Sequence, residues 1–298
     1  MEKGKRELLQ RGSADFPFAN YRFRFSKLRK VTPVHWHPEQ EILYVTEGAL
    51  DVTVGKELVR VKQGQVCIVP SNAIHCVQLA QAPTRYHAFV FDYAVLHLPE
   101  QHFFQKEIIA PLEEGKRVFP LLLTEDAEQY TQAIPLLEIL CKHSTNDQLV
   151  KLYSFQALIQ LFTLLSPLLE EGSNHTGRTD NHAVKLCLDY LQNHYTQKIT
   201  LEQLAAIAHL HPNYICKLFR EYTGQTVFQH LLQLRIDNAA HLLLNEGYTV
   251  AQAAEACGFE SLSFFSRKFK ELMGISPQGY KKQHLQSKRS QGERQIQA

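Results

Sequence analysis

The C-terminal third of the chain contains its own sequence twice. "ITLEQLAAIAHLHPNYICKLFREYTG" (199–224) aligns with "YTVAQAAEACGFESLSFFSRKFKELMG" (248–274). Thr200 falls on Thr249, Gln203 on Gln252 and Ala205 on Ala254. After a one-residue insertion in the second copy, Phe219 falls on Phe269, Arg220 on Lys270 and Gly224 on Gly274. Each copy begins with Thr-x-x-Gln, the spacing of a capping box, in which hydroxyl and amide each satisfy a backbone N–H at a helix start. A short helix of small residues follows. Gly258 suits the left-handed stop of that helix in the second copy; His209-Leu210 stands there in the first and is a less obvious stop. Pro212 fits the first position of the next helix, and Ser261 is the matching N-cap in the second copy. Gly224 and Gly274 end the second helices. Leu218, Phe219, Phe265 and Phe269 fall on the face opposite the polar side chains and are expected in the core.

Two short helices around a tight turn form a helix-turn-helix unit, which lays its second helix in the DNA major groove. One such hairpin says little, because many helical hairpins never meet DNA. Two with matched caps say more. Between them, "VFQHLLQLRIDNAAHLLLNEG" reads as a helix of up to about 19 residues, or about 28 Å at 1.5 Å per residue. Successive major-groove faces lie about 34 Å apart, so one chain can offer two reading helices to adjacent grooves.

"LAAIAHLHPNYICKLFREYTG", "LRIDNAAHLLL" and "AAEACGFESLSFFSRKFKELMGISPQGY" resemble the DNA-binding domain of the AraC/XylS family of bacterial transcription regulators. The resemblance spans about 100 residues, and the string GF-x-x-x-S-x-F-x-x-x-FK…G-x-x-P…Y is its most specific part. It implies that Asn213, Cys216, Lys217 and Arg220 face DNA on the first reading helix, and Leu262, Ser263, Ser266 and Arg267 on the second. Arg and Lys suit guanine edges or phosphates, Asn suits adenine, and an apolar side chain suits the thymine methyl. The flat alternative for any single position is an exposed residue that contacts nothing. The chain departs from the family pattern at His211, where Ser is usual and caps better, and at Cys216, where Ser or Gln is frequent.

The other end of the chain has a different texture. "EILYVTEGALDVTVGKELVRVKQGQVCIVP" alternates short runs of Val, Ile and Leu with Gly48, Gly55 and Gly64, the rhythm of a β-sandwich or small barrel. It is preceded by "HWHPEQE", in which His35 and His37 lie two apart, on one face of an extended chain, with Glu41 four residues on. Gly48, Gly64, Pro70 and His75 complete the pattern, which resembles both motifs of the cupin barrel over residues 30–80. In metal-binding cupins those positions supply three imidazoles and one carboxylate. Asn72 replaces the usual Gly, a minor departure because Asn tolerates left-handed backbone. Three readings of His35, His37, Glu41 and His75 stand: a polar wall of an effector pocket, as in the sugar-sensing barrels of related regulators; a site for a divalent transition metal; or a hydrogen-bonded structural cluster. Trp36 and Tyr44 are read as packing rather than stacking residues.

Between the ends, "EDAEQYTQAIPLLEILCKH" and "NDQLVKLYSFQALIQLFTLLSPLLEE" show helical spacing. Leu149, Leu152, Phe155, Leu158 and Phe162 form one stripe, either a dimer face or a surface packed on the barrel. "EGSNHTGRTDN" (171–181) is polar and reads as a linker. Net charge is −1 over residues 1–179 and +3 over 180–298, which permits nucleic-acid binding at the C-terminal end without demanding it. Six scattered cysteines with no CxxC pair argue against a zinc finger and, with no apolar leader or run of 18 apolar residues, for a cytoplasmic protein with no membrane contact.

The expected fold class is α+β: a cupin-like β-barrel at 1–98, a helical connector and dimerisation segment at 99–175, an all-α tandem helix-turn-helix domain at 183–282, and a disordered tail at 283–298. Within that domain the two units are expected at about 200–222 and 249–272. The expected function is a non-enzymatic, sequence-specific transcription regulator, an activator by resemblance. Its partners are promoter DNA, a small-molecule effector such as a sugar, a second copy of the chain in a homodimer, and RNA polymerase. No resident cofactor is expected; the alternative is a metal-dependent cupin sensor or enzyme fused to a DNA-binding domain.

Overall fold

The computed structural model describes residues 12–26, 30–143, 147–172, 178–245 and 247–283. They fall into two compact units that part between Asn181 and His182.

The first unit is built on eight antiparallel strands: β1 (Phe18–Phe25), β2 (Lys30–His35), β3 (Gln40–Glu47), β4 (Ala49–Val54), β5 (Glu57–Lys62), β6 (Val66–Val69), β7 (His75–Leu79) and β8 (Thr84–Phe91). A helical stretch that includes α1 (Ala110–Glu113) follows, then the short strands β9 (Arg117–Val118) and β10 (Leu122–Leu123). One sheet runs β1-β8-β3-β6-β10 and the other β2-β7-β4-β5. Strand β3 explains why "EILYV" shows no polar alternation: both of its faces are covered. Leu43 and Val45 join the cluster between the sheets, with Val52, Val61, Val77 and Tyr86. Ile42 and Tyr44 join the opposite cluster, with Phe89, Phe91 and the helices α2 (Tyr130–Cys141) and α3 (Gln148–Leu165). Tyr44 is therefore a packing residue, as expected.

The barrel does not stop at residue 98. Leu122 and Leu123 pair with Cys67 and Val66, so β10 extends the first sheet from within the segment expected to be helical. Two residues are too short a run for periodicity to reveal. The α3 stripe is also divided. Leu158 and Phe162 are buried against the barrel, while Leu149 and Leu152 are 56% and 63% exposed. The polar stretch 171–181 is not linker throughout: Glu170–Glu171 forms β11, paired with β9, and α4 (Arg178–His194) starts before residue 183. Residues 173–177 of that stretch, and 284–298 of the expected tail, lie outside the described residues.

The second unit contains α4 from His182 onward, α5 (Leu201–Ala208), α6 (Pro212–Thr223), α7 (Val227–Asn245), α8 (Val250–Ala256) and α9 (Leu262–Met273). Its central helix α7 has the 19 residues expected of the connecting rod. Ile236, Ala239, Ala240 and Leu243 on α7 pack with Ala253, Ala254 and Cys257 of α8 and with Phe265 and Phe269 of α9. Leu218, Phe219, Phe265 and Phe269 are at most 1% exposed, as their helical phase predicts. All six cysteines are free thiols.

Candidate functional site

The two helical hairpins are fixed by the devices that the duplication announces. Thr200 Oγ1 accepts from the Gln203 amide at 3.3 Å, and the Thr200 amide donates to Gln203 Oε1 at 2.9 Å. The Thr249–Gln252 box repeats this at 3.2 and 2.9 Å. The first copy turns without glycine: His209 itself adopts φ +53°, a left-handed conformation that histidine visits more readily than branched residues. The second uses Gly258 at φ +76°, where a Cβ would lie 2.3 Å from the Thr196 carbonyl oxygen. His211 caps α6 after all, its Nδ1 accepting from the Asn213 amide at 3.3 Å, and Ser261 caps α9 through the Phe264 amide.

With the apolar faces buried, the opposite faces are free. Asn213, Lys217 and Arg220 on α6 are exposed and Cys216 is half-buried; on α9, Leu262, Ser263 and Arg267 are exposed and Ser266 is half-buried. Among the described residues Lys217 has a loose partner, Glu221 at 3.9 Å. The Arg267 guanidinium lies 5.6 Å from the Phe264 ring centroid, which holds a flexible side chain along the helix surface. Tyr214 and Phe264, each 39% exposed, border these faces and were missed by the sequence reading. Their signal was present: an aromatic one residue before a core position on a capped helix faces partly outward.

In the first unit, three strands assemble the histidine cluster. His35 ends β2 and pairs with His75 at the start of β7; Glu41 lies on β3, and His37 in the segment between. One donor atom from each of the four lies within 4.8 Å of the others. Asn72 adopts φ +61°, as its place in the motif implies, and its amide donates to the His37 carbonyl at 2.9 Å. The cluster faces a cavity of about 150 Å³ between the sheets.

Hydrogen bonding sets the chemistry of the cluster. His35 Nδ1 lies 3.0 Å from Pro33 O, His37 Nδ1 3.1 Å from Glu39 O, and His75 Nδ1 2.9 Å from Ala73 O. A carbonyl can only accept, so each Nδ1 carries a proton and each Nε2 is turned towards the middle of the cluster. Nε2 of His37 and of His75 lie 3.3 and 2.9 Å from the same oxygen, Glu41 Oε2. For His37, burial opposes charge, but hydrogen bonds to Glu39 and Glu41 outweigh it and raise the imidazole to about 9. Burial likewise opposes ionisation of Glu41, yet hydrogen bonds from His37 and His75 hold its carboxyl well below the usual range. Burial, then the neighbouring His75, lowers His35 to about 3. The cluster therefore pairs an imidazolium with a carboxylate beside a neutral imidazole.

The same arrangement fits a divalent transition metal. Metal-bound histidines typically donate the second ring nitrogen to a carbonyl or carboxylate, which fixes tautomer and ring orientation. All three imidazoles do so here before any ion arrives. Donors about 2.1 Å from one ion lie at most about 4.2 Å apart, so the 4.8 Å spread must contract only slightly. Once an ion displaces the protons shared between the imidazoles and Glu41, three nitrogens and one carboxylate suit zinc, iron, nickel or manganese.

A helix-turn-helix domain family matches residues 204–283 and a cupin domain family residues 22–90. The HTH-type transcriptional regulator YdeC of Bacillus subtilis is 22% identical over 291 residues, covering 95% of this chain and 97% of its own. The melibiose operon regulatory protein of Escherichia coli is 24% identical over 257 residues, 83% of each chain. Among solved structures, an apo form of ToxT from Vibrio cholerae is 14% identical, covers 89% of this chain and 96% of that one, and has a TM-score of 0.49.

Proposed function

We infer that this chain, which belongs to the AraC family of DNA-binding transcription regulators, reads a promoter with α6 and α9 and is switched by a ligand held in its cupin barrel. The observation that carries the DNA-binding part is the pair of hairpins with matched capping boxes, packed on one 19-residue helix. Asn213, Cys216, Lys217 and Arg220 face one major groove, and Leu262, Ser263, Ser266 and Arg267 the next. A gel-shift titration tests this. Arg267→Ala should weaken binding by about 1–3 kcal/mol if the guanidinium reads a base; equal binding by variant and wild type counts against it. By resemblance the chain is a cytoplasmic activator that contacts RNA polymerase, so deleting its gene should lower transcription from the promoter it binds.

Leu149, Leu152 and Tyr153, close together on α3, expose apolar surface, as does Ile139 on α2, the helix that packs against α3. We assign this surface to a second copy of the chain. One helix, Gln148–Leu168, also has the length and composition of a membrane span, but its other face is buried in the barrel cluster. Leu152→Glu should shift sedimentation from dimer to monomer.

The barrel is the sensor. His35, His37 and His75 through Nε2, and Glu41 through its carboxylate, are the residues that would hold a divalent metal, and the ion would supply a Lewis-acidic anchor for an oxygen-bearing effector. The pre-set Nδ1–carbonyl bonds favour this over a merely structural cluster, which needs no shared tautomer. Strand β1 links the pocket to the helices. Tyr21 and Phe23 line the cavity, while on the opposite face Asn20 Nδ2 and Arg22 Nη2 donate to Cys141 O, at the end of α2, at 2.9 and 2.8 Å. A ligand that displaces β1 therefore pulls on the helix pair assigned to dimerisation.

A further inference from the structure

The two reading helices support their cations differently. The duplication places Lys217 opposite Arg267, Tyr214 opposite Phe264 and Glu221 opposite Glu271. On α6, Lys217 lies 3.9 Å from the Glu221 carboxylate. On α9, the Glu271 carboxylate is taken up by Lys268, at 3.1 and 2.8 Å, and the Arg267 guanidinium lies over the Phe264 ring, 5.6 Å from its centroid. These supports differ in what they consume. A carboxylate occupies N–H donors of the cation it holds. A ring face attracts a guanidinium through its quadrupole and leaves the in-plane donors free. Those donors are the ones that a bidentate contact with guanine O6 and N7 requires. The ring is itself braced. Phe264 is the third residue of α9, and its amide donates to the Ser261 cap at 3.3 Å. Its ring lies 6.4 Å from that of Phe259, which is buried and meets Phe265 edge-on at 4.9 Å. The Arg235 guanidinium, which clamps the Tyr195 and Gln197 carbonyls, lies 5.9 Å from the Phe259 ring centroid. Phe264 is therefore exposed towards Arg267 but backed by the packed interior of the second unit.

We propose that Phe264 is a specificity-determining positioning residue: its ring holds the Arg267 guanidinium ready for one guanine edge, so that the second reading helix discriminates a G·C pair through a side chain ordered before DNA arrives. This rests on the DNA-binding reading of the preceding section. Without the ring, Arg267 swings freely and reaches phosphates as readily as bases, and a phosphate contact carries no sequence information. Loss of the ring therefore costs discrimination at one base pair rather than affinity for DNA in general.

The test is a gel-shift competition with the full-length protein. The probe is the DNA fragment upstream of its own gene, and the competitors carry each single base-pair substitution across it. Arg267→Ala should lower discrimination at one G·C pair by about 10-fold or more. Phe264→Leu, which keeps an apolar side chain at the same helix position, should lower discrimination at that same pair by about threefold or more. It should leave the pairs governed by Lys217 unchanged, and it should leave the salt dependence of binding unchanged because no phosphate contact is lost. Phe264→Tyr, which keeps the ring, should retain the wild-type pattern. A merely structural role for Phe264 would weaken every pair alike. That outcome, full discrimination by Phe264→Leu, or a Phe264→Tyr protein as indifferent as Phe264→Leu overturns the proposal. If Arg267→Ala keeps full base-pair discrimination and only flattens the salt dependence, Arg267 is a phosphate contact; the proposal falls and the DNA-binding reading stands. Equal binding by the wild-type protein to the fragment and to every competitor overturns both.

Discussion

Replacing Gly258 with alanine should uncouple the two halves of the second hairpin. Two effects add. Gly258 sits at φ +76°, where a side-chain-bearing residue costs about 1–2 kcal/mol. Its new Cβ would also lie 2.3 Å from the oxygen, 2.7 Å from the carbon and 2.9 Å from the Cα of Thr196. Ordinary contact requires the loop to retreat by about 1 Å, and such overpacking costs about 1–3 kcal/mol. The loop cannot retreat freely, because Arg235 holds it. Arg235 Nε donates to Tyr195 O at 2.6 Å and Nη2 to Gln197 O at 2.8 Å. The expected loss is therefore about 2–5 kcal/mol, confined to the second unit. Urea unfolding of the full chain separates the units: helical circular dichroism should show an early transition, while fluorescence of Trp36, which belongs to the first unit, keeps its midpoint. Promoter affinity should fall with the helical transition. Arg235→Ala frees the loop, so the double variant should lose less than the sum of the two single losses. A Gly258→Ala protein within about 0.5 kcal/mol of wild type would refute the steric argument, and strict additivity would refute the part assigned to Arg235.

Three further outcomes are expected. Thr249→Ala removes one capping box and should lower helix stability by about 1 kcal/mol, as should Thr200→Ala, read by circular dichroism. His230 is buried in the second unit and burial lowers it to about 4, against an ordinary value of 6.5. The unfolded chain therefore takes up its proton first, so stability should fall as pH drops from about 6.5 towards about 4, and His230→Phe, which keeps the ring beside Phe219, should flatten that slope in urea midpoints measured across the range. Asn20→Ala with Arg22→Ala should leave metal uptake and promoter affinity unchanged but abolish the response of promoter binding to effector; an unchanged response removes β1 from the relay.

What the sequence disclosed follows the range of the forces involved. The capping boxes, the Ser261 cap and the buried phenylalanines were legible because each depends on neighbours within four residues. His209 was not, since nothing in a histidine side chain advertises a left-handed backbone; only its place opposite Gly258 in the duplication did. Strand β10 was lost because two leucines carry no period and are recruited by Cys67 and Val66, far away in the chain. The α3 stripe is split: one helix is apolar on a face that meets the barrel and on another that meets solvent, and composition alone cannot divide them. The histidine cluster was found only because its spacing matches a known motif. Its tautomers could not be, because they depend on the carbonyls of Pro33, Glu39 and Ala73, whose directions are set by the folded loops around β2, β3 and β7.

The account stands on two reading helices per chain engaging one side of a duplex. A DNase footprint of the full-length protein on the region upstream of its own gene should show protected segments centred about one helical turn, or about 10 base pairs, apart for each bound subunit. Lys217→Ala should weaken one segment of each pair and Arg267→Ala the other. A single protected segment per subunit, or protection indifferent to both substitutions, would contradict it.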